Sequence, residues 1–291
     1  MQLLPYFLVL VSAVTHSIWN FLAKRADDKD IFIGLSKLSE ATLFFIPFIF
    51  LLFTIGVELN VWLLFVIVAA FFVFLNYFFL SQAYKYIDLS VAYPISRSST
   101  LFLPILGYFF LGERIDAIGT LSIVLITVAV LGIQLDGFTR ADFVGLWQNL
   151  MRPGILFAFL AAFTVASYTI WDKVAVSQVH PFLYFYSYTA LVSICYTVFM
   201  SAKFSWAQIH QEWRNHKVSI VAVAVLNTFT YLLVLVALAL SKATYVGALR
   251  QISLVIAVVL GWRILKEPLP APRIFSILLL TIGSGLIVFA N

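Results

Sequence analysis

Charged side chains are scarce in this sequence: Asp, Glu, Lys and Arg together make up 11% of its 291 residues. A soluble globular domain carries roughly 25% charged residues, so this chain has too few to cover a surface that faces water. Hydrophobic residues make up 63%, and the mean hydropathy is +1.04. We therefore predict an integral membrane protein.

Cysteine is almost absent as well, since Cys195 is the only one and lies inside an apolar run. A single cysteine excludes a disulfide framework and a cysteine-based metal site. The sequence also lacks H-E-x2-H, G-x-S-x-G and P-loop motifs, so it does not indicate a zinc protease, a serine hydrolase or an ATPase. Its basic residues form no long cluster and indicate no nucleic-acid partner. We expect no cofactor and no metal ion.

Apolar runs of membrane-spanning length fill most of the chain. A bilayer core of ~30 Å needs about 20 apolar residues per helix. A window of that size gives ten spans, at roughly 3–23, 31–54, 61–84, 89–111, 117–135, 153–173, 182–202, 218–240, 244–265 and 273–290. The runs show no period-two alternation, which favours helices over a β-barrel. We predict an all-α protein with ten transmembrane helices, in which the polar segment 203–217 lies along the membrane surface.

The two halves of the chain repeat one pattern. Residues 83–127 and 237–281, which are 154 positions apart, are identical at eleven of 45 positions without a gap. Both stretches carry a G-x5-E motif at a predicted helix end, as Gly107–Glu113 and Gly261–Glu267. A repeat with this register indicates a duplicated unit of about half the chain.

Five spans per repeat is an odd number, so the second repeat must enter the membrane from the opposite face. We place the first repeat at residues 1–136, a polar linker at 137–152 and the second repeat at 153–291. Inverted repeats are typical of secondary transporters, whose substrate sites lie near the middle of the bilayer. Of the Lys and Arg residues in the predicted loops, eleven lie on the face of the first loop and three on the other. That asymmetry would put both termini outside the cytoplasm.

Two ionisable residues lie deep in the second predicted span. Lys37 and Glu40 are three residues apart and share one helical face. Ionisable side chains at this depth cost about 2.5–3.5 kcal/mol each on insertion scales and are functional candidates. In one interpretation Glu40 exchanges a proton while Lys37 acts as its counter-ion. In the other, the two form an ion pair that only makes insertion tolerable.

Arg97 lies about 12 Å into the fourth predicted span. Pro94 lacks an N–H, so we expect a helix to restart there with free N–H groups close to the arginine. The planar guanidinium group matches a carboxylate or phosphate, which makes Arg97 a candidate anion receptor. Alternatively, Arg97 pairs permanently with Glu40 or extends to the membrane surface. In the second repeat, Arg250 and Gln251 fall within one residue of the equivalent position.

The remaining substrate-binding candidates are polar or aromatic residues at matched depths: His16, Trp19, Asn20, Tyr77 and Tyr231. Aromatic residues in such a chain are more often packing residues than ligand contacts. The two tyrosines occupy equivalent positions in the third span of each half, which favours a shared function. By contrast, three histidines fall in predicted connections and are expected to be solvated: His180, His210 and His216.

The deep charges predict the sign of the substrate. Lys37, Arg97 and Arg250 supply three positive charges against the one negative charge of Glu40, a surplus of two. A substrate with a negative charge, or a zwitterion bound through its carboxylate, would balance that surplus, whereas a purely cationic substrate would not.

The two five-helix repeats, the paired G-x5-E motifs and a Trp followed by a Lys in the first span resemble the drug/metabolite transporter superfamily, in its ten-helix EamA-like branch. The spacing H-x2-W-N-x3-K, at His16, Trp19, Asn20 and Lys24, is similar to that of a subgroup of EamA-like proteins. The resemblance covers essentially the whole chain. It implies a transporter of amino acids, other metabolites or small solutes. It also implies that both termini are cytoplasmic, which is opposite to the orientation that the loop charges indicate.

We therefore expect a multi-pass secondary transporter in the bacterial inner membrane. It would move a small anionic or zwitterionic metabolite, such as an amino acid, an organic acid or a phosphonate, by alternating access coupled to protons. Its expected partners are that substrate and the lipid bilayer, without nucleic acid, and the chain is expected to be a monomer or a homodimer. Two alternatives stay open, an intramembrane enzyme and a membrane assembly factor. Neither alternative explains buried arginines at near-equivalent places in both halves.

Overall fold

The computed structural model of the protein describes residues 3–56, 58–86, 95–133, 135, 137, 153–266 and 268–290. These residues form helices and short connections, with no strand among them. The helices of the first half are α1 Leu4–Lys24, α2 Lys29–Leu43, α3 Phe45–Ile55, α4 Leu59–Tyr86, a 3₁₀ turn Ser98–Leu101, α5 Leu103–Leu111 and α6 Ala117–Gly132. Those of the second half are α7 Pro153–Ala175, α8 Pro181–Lys203, α9 Trp206–Leu240, α10 Ala243–Leu249, α11 Ile252–Leu265 and α12 Ala271–Ile287.

Local sequence signals explain where several helices begin. The carboxylate of Asp28 accepts hydrogen bonds from the first N–H groups of α2, and that of Asp116 does the same for α6. Ser205 and Gln208 form a reciprocal capping box at the start of α9. Each cap satisfies N–H groups that have no partner within the helix, which stabilises the helix by about 1 kcal/mol.

The helix ends that carry the repeated motif share one backbone conformation. Gly112 ends α5 in the left-handed region, with φ of 63°, and Lys266 ends α11 in the same region, with φ of 58°. These positions are 154 residues apart, which is the offset of the sequence repeat. Glycine adopts this conformation freely, whereas it is uncommon for a lysine. The turn is therefore a conserved feature of the duplicated unit within this chain. Glu267, which follows Lys266, lies outside the described residues.

Within the residues that the structure describes, six helical segments are long and apolar enough to cross a membrane, or seven when α2 and α3 are taken as one span bent by 45°. Two further apolar helices, α6 and α12, are shorter. These helices lie where the sequence predicted spans, and they confirm an all-helical membrane protein. The total of ten transmembrane helices remains a prediction.

The segment 203–217 differs from its predicted form. It does not lie as a separate stretch along the surface, because residues from Trp206 onward belong to the continuous 35-residue helix α9. At 1.5 Å per residue this helix is about 52 Å long, so it extends about 20 Å beyond a bilayer core of ~30 Å. The capping box at Ser205 starts the helix well before its apolar part begins.

The two halves pack through pairs of equivalent helices that run antiparallel. Between α2 and α8, the Tyr186 hydroxyl donates to the Ala41 carbonyl at 2.7 Å, whereas Lys203 pairs with Asp30 at 2.7 Å. Between α6 and α12, Arg273 lies beside the end of α6 and Gly283 lies near its middle. Two other helix pairs are in extensive contact, α1 with α9 and α4 with α7. These two pairs are also equivalent, because α7 is the repeat counterpart of α1 and α9 is the counterpart of α4. The packing therefore follows the sequence repeat.

Candidate functional site

A cavity of about 120 Å³ lies between helices of both halves. It is lined by residues of α2, α4, α7, α8 and α9: Lys37, Val73, Asn76, Tyr168, Phe185, Tyr188, Thr189, Val192, Asn227 and Tyr231. The wall is mixed, with aromatic and aliphatic surfaces and a few polar groups that point to one space. This composition is typical of small-molecule sites, in which a few placed polar groups fix the orientation of the ligand.

Thr189 gives the cavity an unsatisfied polar group. Its side chain is 1% exposed, and its Oγ1 has no hydrogen-bond partner in the described part of the chain. A threonine in a helix ordinarily bonds to the carbonyl four residues earlier. Buried hydroxyl groups are costly without a partner, so Thr189 is a candidate polar contact for a ligand in the cavity.

Beside the cavity, Glu40 is held by three donors. It is 1% exposed, and it accepts hydrogen bonds from Lys37 Nζ at 2.8 Å, Thr228 Oγ1 at 2.8 Å and Asn227 Nδ2 at 3.2 Å. Two of these donors, on Lys37 and Asn227, belong to residues that also line the cavity. The predicted Lys37–Glu40 pair is thus present. The carboxylate of Glu40 does not line the cavity itself but contacts Lys37 and Asn227, which do.

A second buried carboxylate, Asp172 on α7, was not among the predicted site residues. It is 2% exposed and accepts hydrogen bonds from the hydroxyls of Tyr184 and Tyr231, each at 2.6 Å. The guanidinium carbon of Arg250 lies 5.7 Å from the ring centroid of Tyr231, and the charge of Arg250 acts on Asp172. Tyr231 therefore lies between the cavity and the buried carboxylate of Asp172.

Arg97 and His16 meet across the first half of the protein. Nη2 of Arg97 lies 3.2 Å from Nε2 of His16. A guanidinium group can only donate, so Nε2 of His16 must be the acceptor and carries no proton. The imidazole ring also packs edge-on against Trp19, with 5.0 Å between ring centroids.

Both arginines lie where the backbone changes from α-helical to 3₁₀ hydrogen bonding. Arg97 directly precedes the 3₁₀ turn of its span, and Arg250 ends α10 just before α11 begins. Around Arg250 the backbone bonds link residues three apart, from Gln251 N–H to Ala248 and from Ser253 N–H to Arg250. Short 3₁₀ stretches within a span often mark functional positions. Pro94, at which the helix was predicted to restart, lies outside the described residues.

The other predicted site residues have varied surroundings. Asn20 donates its amide to the backbone carbonyl of His16 at 2.7 Å, within its own helix. Trp19 Nε1 and Gln251 Oε1 are buried and have no hydrogen-bond partner among the described residues. Tyr77 lies on α4, but its side chain is outside the described part, so its predicted role is not examined by the geometry.

The charge balance differs from the one predicted from sequence. Lys37, Arg97 and Arg250 face two buried carboxylates, Glu40 and Asp172, which leaves a surplus of one positive charge and not two. Asp172 was not predicted as a site residue, although it matches Asn20 in the sequence repeat, where Ile170-Trp171-Asp172 aligns with Ile18-Trp19-Asn20.

The sequence pattern of the EamA-like transporter family matches the chain twice, over residues 3–135 and 152–289. The chain belongs to the EamA-like transporter family. The resemblance predicted from the sequence motifs is thereby confirmed. The family is one of membrane transporters of the drug/metabolite type, which agrees with the all-helical fold and the apolar helices.

Solved structures confirm the fold of this EamA-like protein. One of them, described as "Crystal structure of protein", superposes with a TM-score of 0.71 over 98% of this chain and 96% of its own, at 13% sequence identity. An identity this low shows the fold alone. No curated protein matches the chain.

In this EamA-like protein, Lys37 and Tyr231 line the cavity, among the nine predicted site residues whose side chains the structure describes. Glu40 pairs with Lys37, and Arg250 lies beside the ring of Tyr231. Arg97, Trp19 and Asn20 each contact His16. The polar residues that were not predicted as site residues are Asn76, Thr189, Asn227 and Asp172. Their signal in the sequence was polarity within an apolar span, together with the repeat match of Asp172.

Proposed function

We propose that the protein is a secondary active transporter that moves a small anionic or zwitterionic metabolite by alternating access. The observation that carries the proposal is the cavity between the two halves, with Lys37 on one wall and Tyr231 on the other. Because the cavity is lined by both halves, a relative movement of the halves would change its access. We place the protein in the bacterial inner membrane.

The antiparallel packing of equivalent helices supports the alternating-access mechanism. Helices α2 and α8 belong to equivalent positions of the repeat and run in opposite directions, as do α6 and α12. A repeat whose two copies run in opposite directions has its two-fold axis in the membrane plane. Such a protein can adopt two conformations of similar energy that open to opposite sides. The five membrane-spanning segments predicted for each half from the sequence would give this arrangement.

The charges around the cavity favour a substrate with at least one negative group. Lys37 lines the cavity directly, and its ammonium group also pairs with Glu40. A substrate carboxylate or phosphonate near Lys37 would add a second anion to this ammonium group, and Asn76, Asn227 and Thr189 supply uncharged polar groups for the rest of the ligand. A substrate group with a single negative charge would neutralise the surplus of one positive charge. An amino acid, an organic acid or a phosphonate fits this description.

Proton coupling is proposed for Glu40, with Lys37 as its counter-ion. Glu40 bridges α2 and α9 through Asn227 and Thr228. Protonation of the carboxylate would weaken the hydrogen bonds that it accepts and release Lys37 for an anionic substrate. Asp172 offers a second candidate of the same kind, because it joins α7, α8 and α9 through Tyr184 and Tyr231.

The decisive experiment is transport by purified protein in proteoliposomes. Amino acids, organic acids and phosphonates are tested with and without a pH gradient, and a vesicle without protein is the control. We expect uptake or exchange of at least one compound with a carboxylate or phosphonate group, stimulated by the gradient. Transport of cationic compounds alone would refute the assigned substrate charge, and the absence of any gradient effect would refute proton coupling.

A further inference from the structure

Three side chains of metal-ligating type meet beyond the apolar part of the helices. Asp27 lies in the connection between α1 and α2, and Glu212 and His216 lie one turn apart on the polar extension of α9. Nε2 of His216 is 3.2 Å from Oδ2 of Asp27 and 3.8 Å from Oε1 of Glu212. One ligand atom from each residue lies within 4.8 Å of the other two.

The two separations from His216 are close to those expected around a single small cation. Zinc binds nitrogen and oxygen ligands at 2.0–2.2 Å, and tetrahedral ligands at that distance lie about 3.3–3.6 Å apart. The distances from His216 to Asp27 and to Glu212 bracket that range. Calcium and magnesium prefer sites made entirely of oxygen, so the imidazole favours zinc or a similar transition metal.

A buried carboxylate oxygen of the cluster has no hydrogen-bond partner. Glu212 is 3% exposed, and its Oε2 accepts the backbone N–H of Asp28 at 3.1 Å. Its Oε1 has no hydrogen-bond partner among the residues that the structure describes, and Nε2 of His216 lies 3.8 Å from it. A buried carboxylate oxygen without a partner is costly. A cation bound beside Oε1 would supply the missing partner.

Neighbouring groups hold the ligands in place. Asn215 donates its amide to Oδ2 of Asp27 at 3.1 Å, and the edge of the Phe32 ring packs against the imidazole of His216. Supporting contacts of this kind orient metal ligands.

We propose that Asp27, Glu212 and His216 form a binding site for Zn²⁺ or a chemically similar divalent cation. The ion joins the α1–α2 connection to the extension of α9, and solvent completes its coordination. His216 was predicted to be solvated, and no metal site was expected because the sequence has one cysteine and no zinc-binding motif. The proposal is independent of the transported substrate.

The test uses the full-length protein with a purification tag that contains no histidine, stripped with a chelator. Zn²⁺ binding is measured by calorimetry, and Co²⁺ is used as a spectroscopic probe of ligand geometry. We expect one Zn²⁺ per chain, a visible Co²⁺ band and a higher melting temperature with Zn²⁺. Loss of an outer contact to a metal ligand typically weakens binding about 10–100-fold. His216→Ala, Glu212→Gln and Asp27→Asn, which each remove a ligand, should weaken it at least that much.

His210→Ala is the matched control, because His210 lies on the same helix, is exposed and is not part of the cluster. This variant should bind Zn²⁺ like the wild type. If Glu212→Gln fails to fold, Asp27→Asn decides the outcome, since Asp27 is exposed and its replacement disturbs no buried packing. Equal Zn²⁺ affinity in Asp27→Asn and the wild type would overturn the proposal. So would the absence of both the Co²⁺ band and the Zn²⁺-dependent stabilisation, which would leave the three residues as an ion-pair cluster.

Discussion

The buried pair of Lys37 and Glu40 allows a structural role to be separated from a coupling role. The side chains are 16% and 1% exposed and meet at 2.8 Å. Removing one partner of a buried ion pair costs about 3–5 kcal/mol because the other charge remains unpaired, whereas replacing both is often neutral. Lys37 borders the cavity, where water can solvate it, so we expect the lower end of that range. Lys37→Gln and Glu40→Gln should each lose about 3 kcal/mol, and the double variant should recover most of it.

The assay is thermal unfolding of the four proteins in detergent, combined as a double-mutant cycle. A loss of about 3 kcal/mol corresponds to a melting temperature roughly 6–12 °C lower, on the scale of single domains. The matched control is the same cycle on Lys203 and Asp30, whose side chains are 50% and 51% exposed. An exposed pair contributes about 0–1 kcal/mol, so that cycle should give little coupling. Equal coupling energies in the two cycles would refute the assignment of Lys37 and Glu40 as a buried pair.

The double variant then tests proton coupling without a loss of stability. If Glu40 carries the coupled proton, Lys37→Gln/Glu40→Gln should fold, and it should bind substrate more weakly because the Lys37 ammonium group is lost. Its remaining transport should no longer respond to a pH gradient. A stable double variant that responds fully to the gradient would remove Glu40 from the coupling role. Asp172 would then be the remaining buried carboxylate within the described residues next to the cavity.

Three further predictions concern the walls of the site. Arg97→Lys keeps the charge but loses the planar donor set, so transport should fall about tenfold or more if recognition is bidentate, and near-normal transport would contradict that geometry. Tyr231→Phe and Tyr184→Phe each remove one hydrogen bond to the carboxylate of Asp172 and should each lower stability by about 1.5–3 kcal/mol. Only the Tyr231 variant should also impair substrate affinity, because Tyr231 alone of the two lines the cavity. Thr189→Val removes the unpartnered hydroxyl, so it should leave thermal stability unchanged or raised while weakening substrate binding severalfold, and unchanged binding would show that the hydroxyl does not contact the ligand.

The positions of the helices could be predicted from the sequence because the bilayer imposes the length of each apolar run. The bent span at Phe44 and the tightened backbone at Arg250 could not be predicted from hydropathy, which reports burial in lipid and not the course of the backbone. The polar extension of α9 carried a readable signal, since Ser205 and Gln208 have the spacing of a capping box. A hydropathy window does not detect this helix start, because the residues of the extension are polar.

The candidate site was less predictable because its contacts join distant parts of the chain. Lys37 and Glu40 could be paired from their spacing on one helix, but Asn227 and Thr228, which complete the pair, lie on α9. The carboxylate of Asp172 accepts hydrogen bonds from Tyr184 and from Tyr231, and Tyr231 is 59 residues away in the sequence. Such contacts depend on how helices pack against each other, which apolar periodicity does not specify.

The length of α9 turns small movements near the cavity into large ones outside the membrane. Trp206 and Tyr231 are 25 residues apart on one continuous helix, which is about 37 Å along its axis. A rigid tilt of about 5° around Tyr231 therefore displaces the exposed end of the helix by about 3 Å. A tilt of α9 during the proposed transport cycle would therefore move its exposed end farther than the residues beside the cavity. A probe attached near Trp206 would report that movement from outside the bilayer.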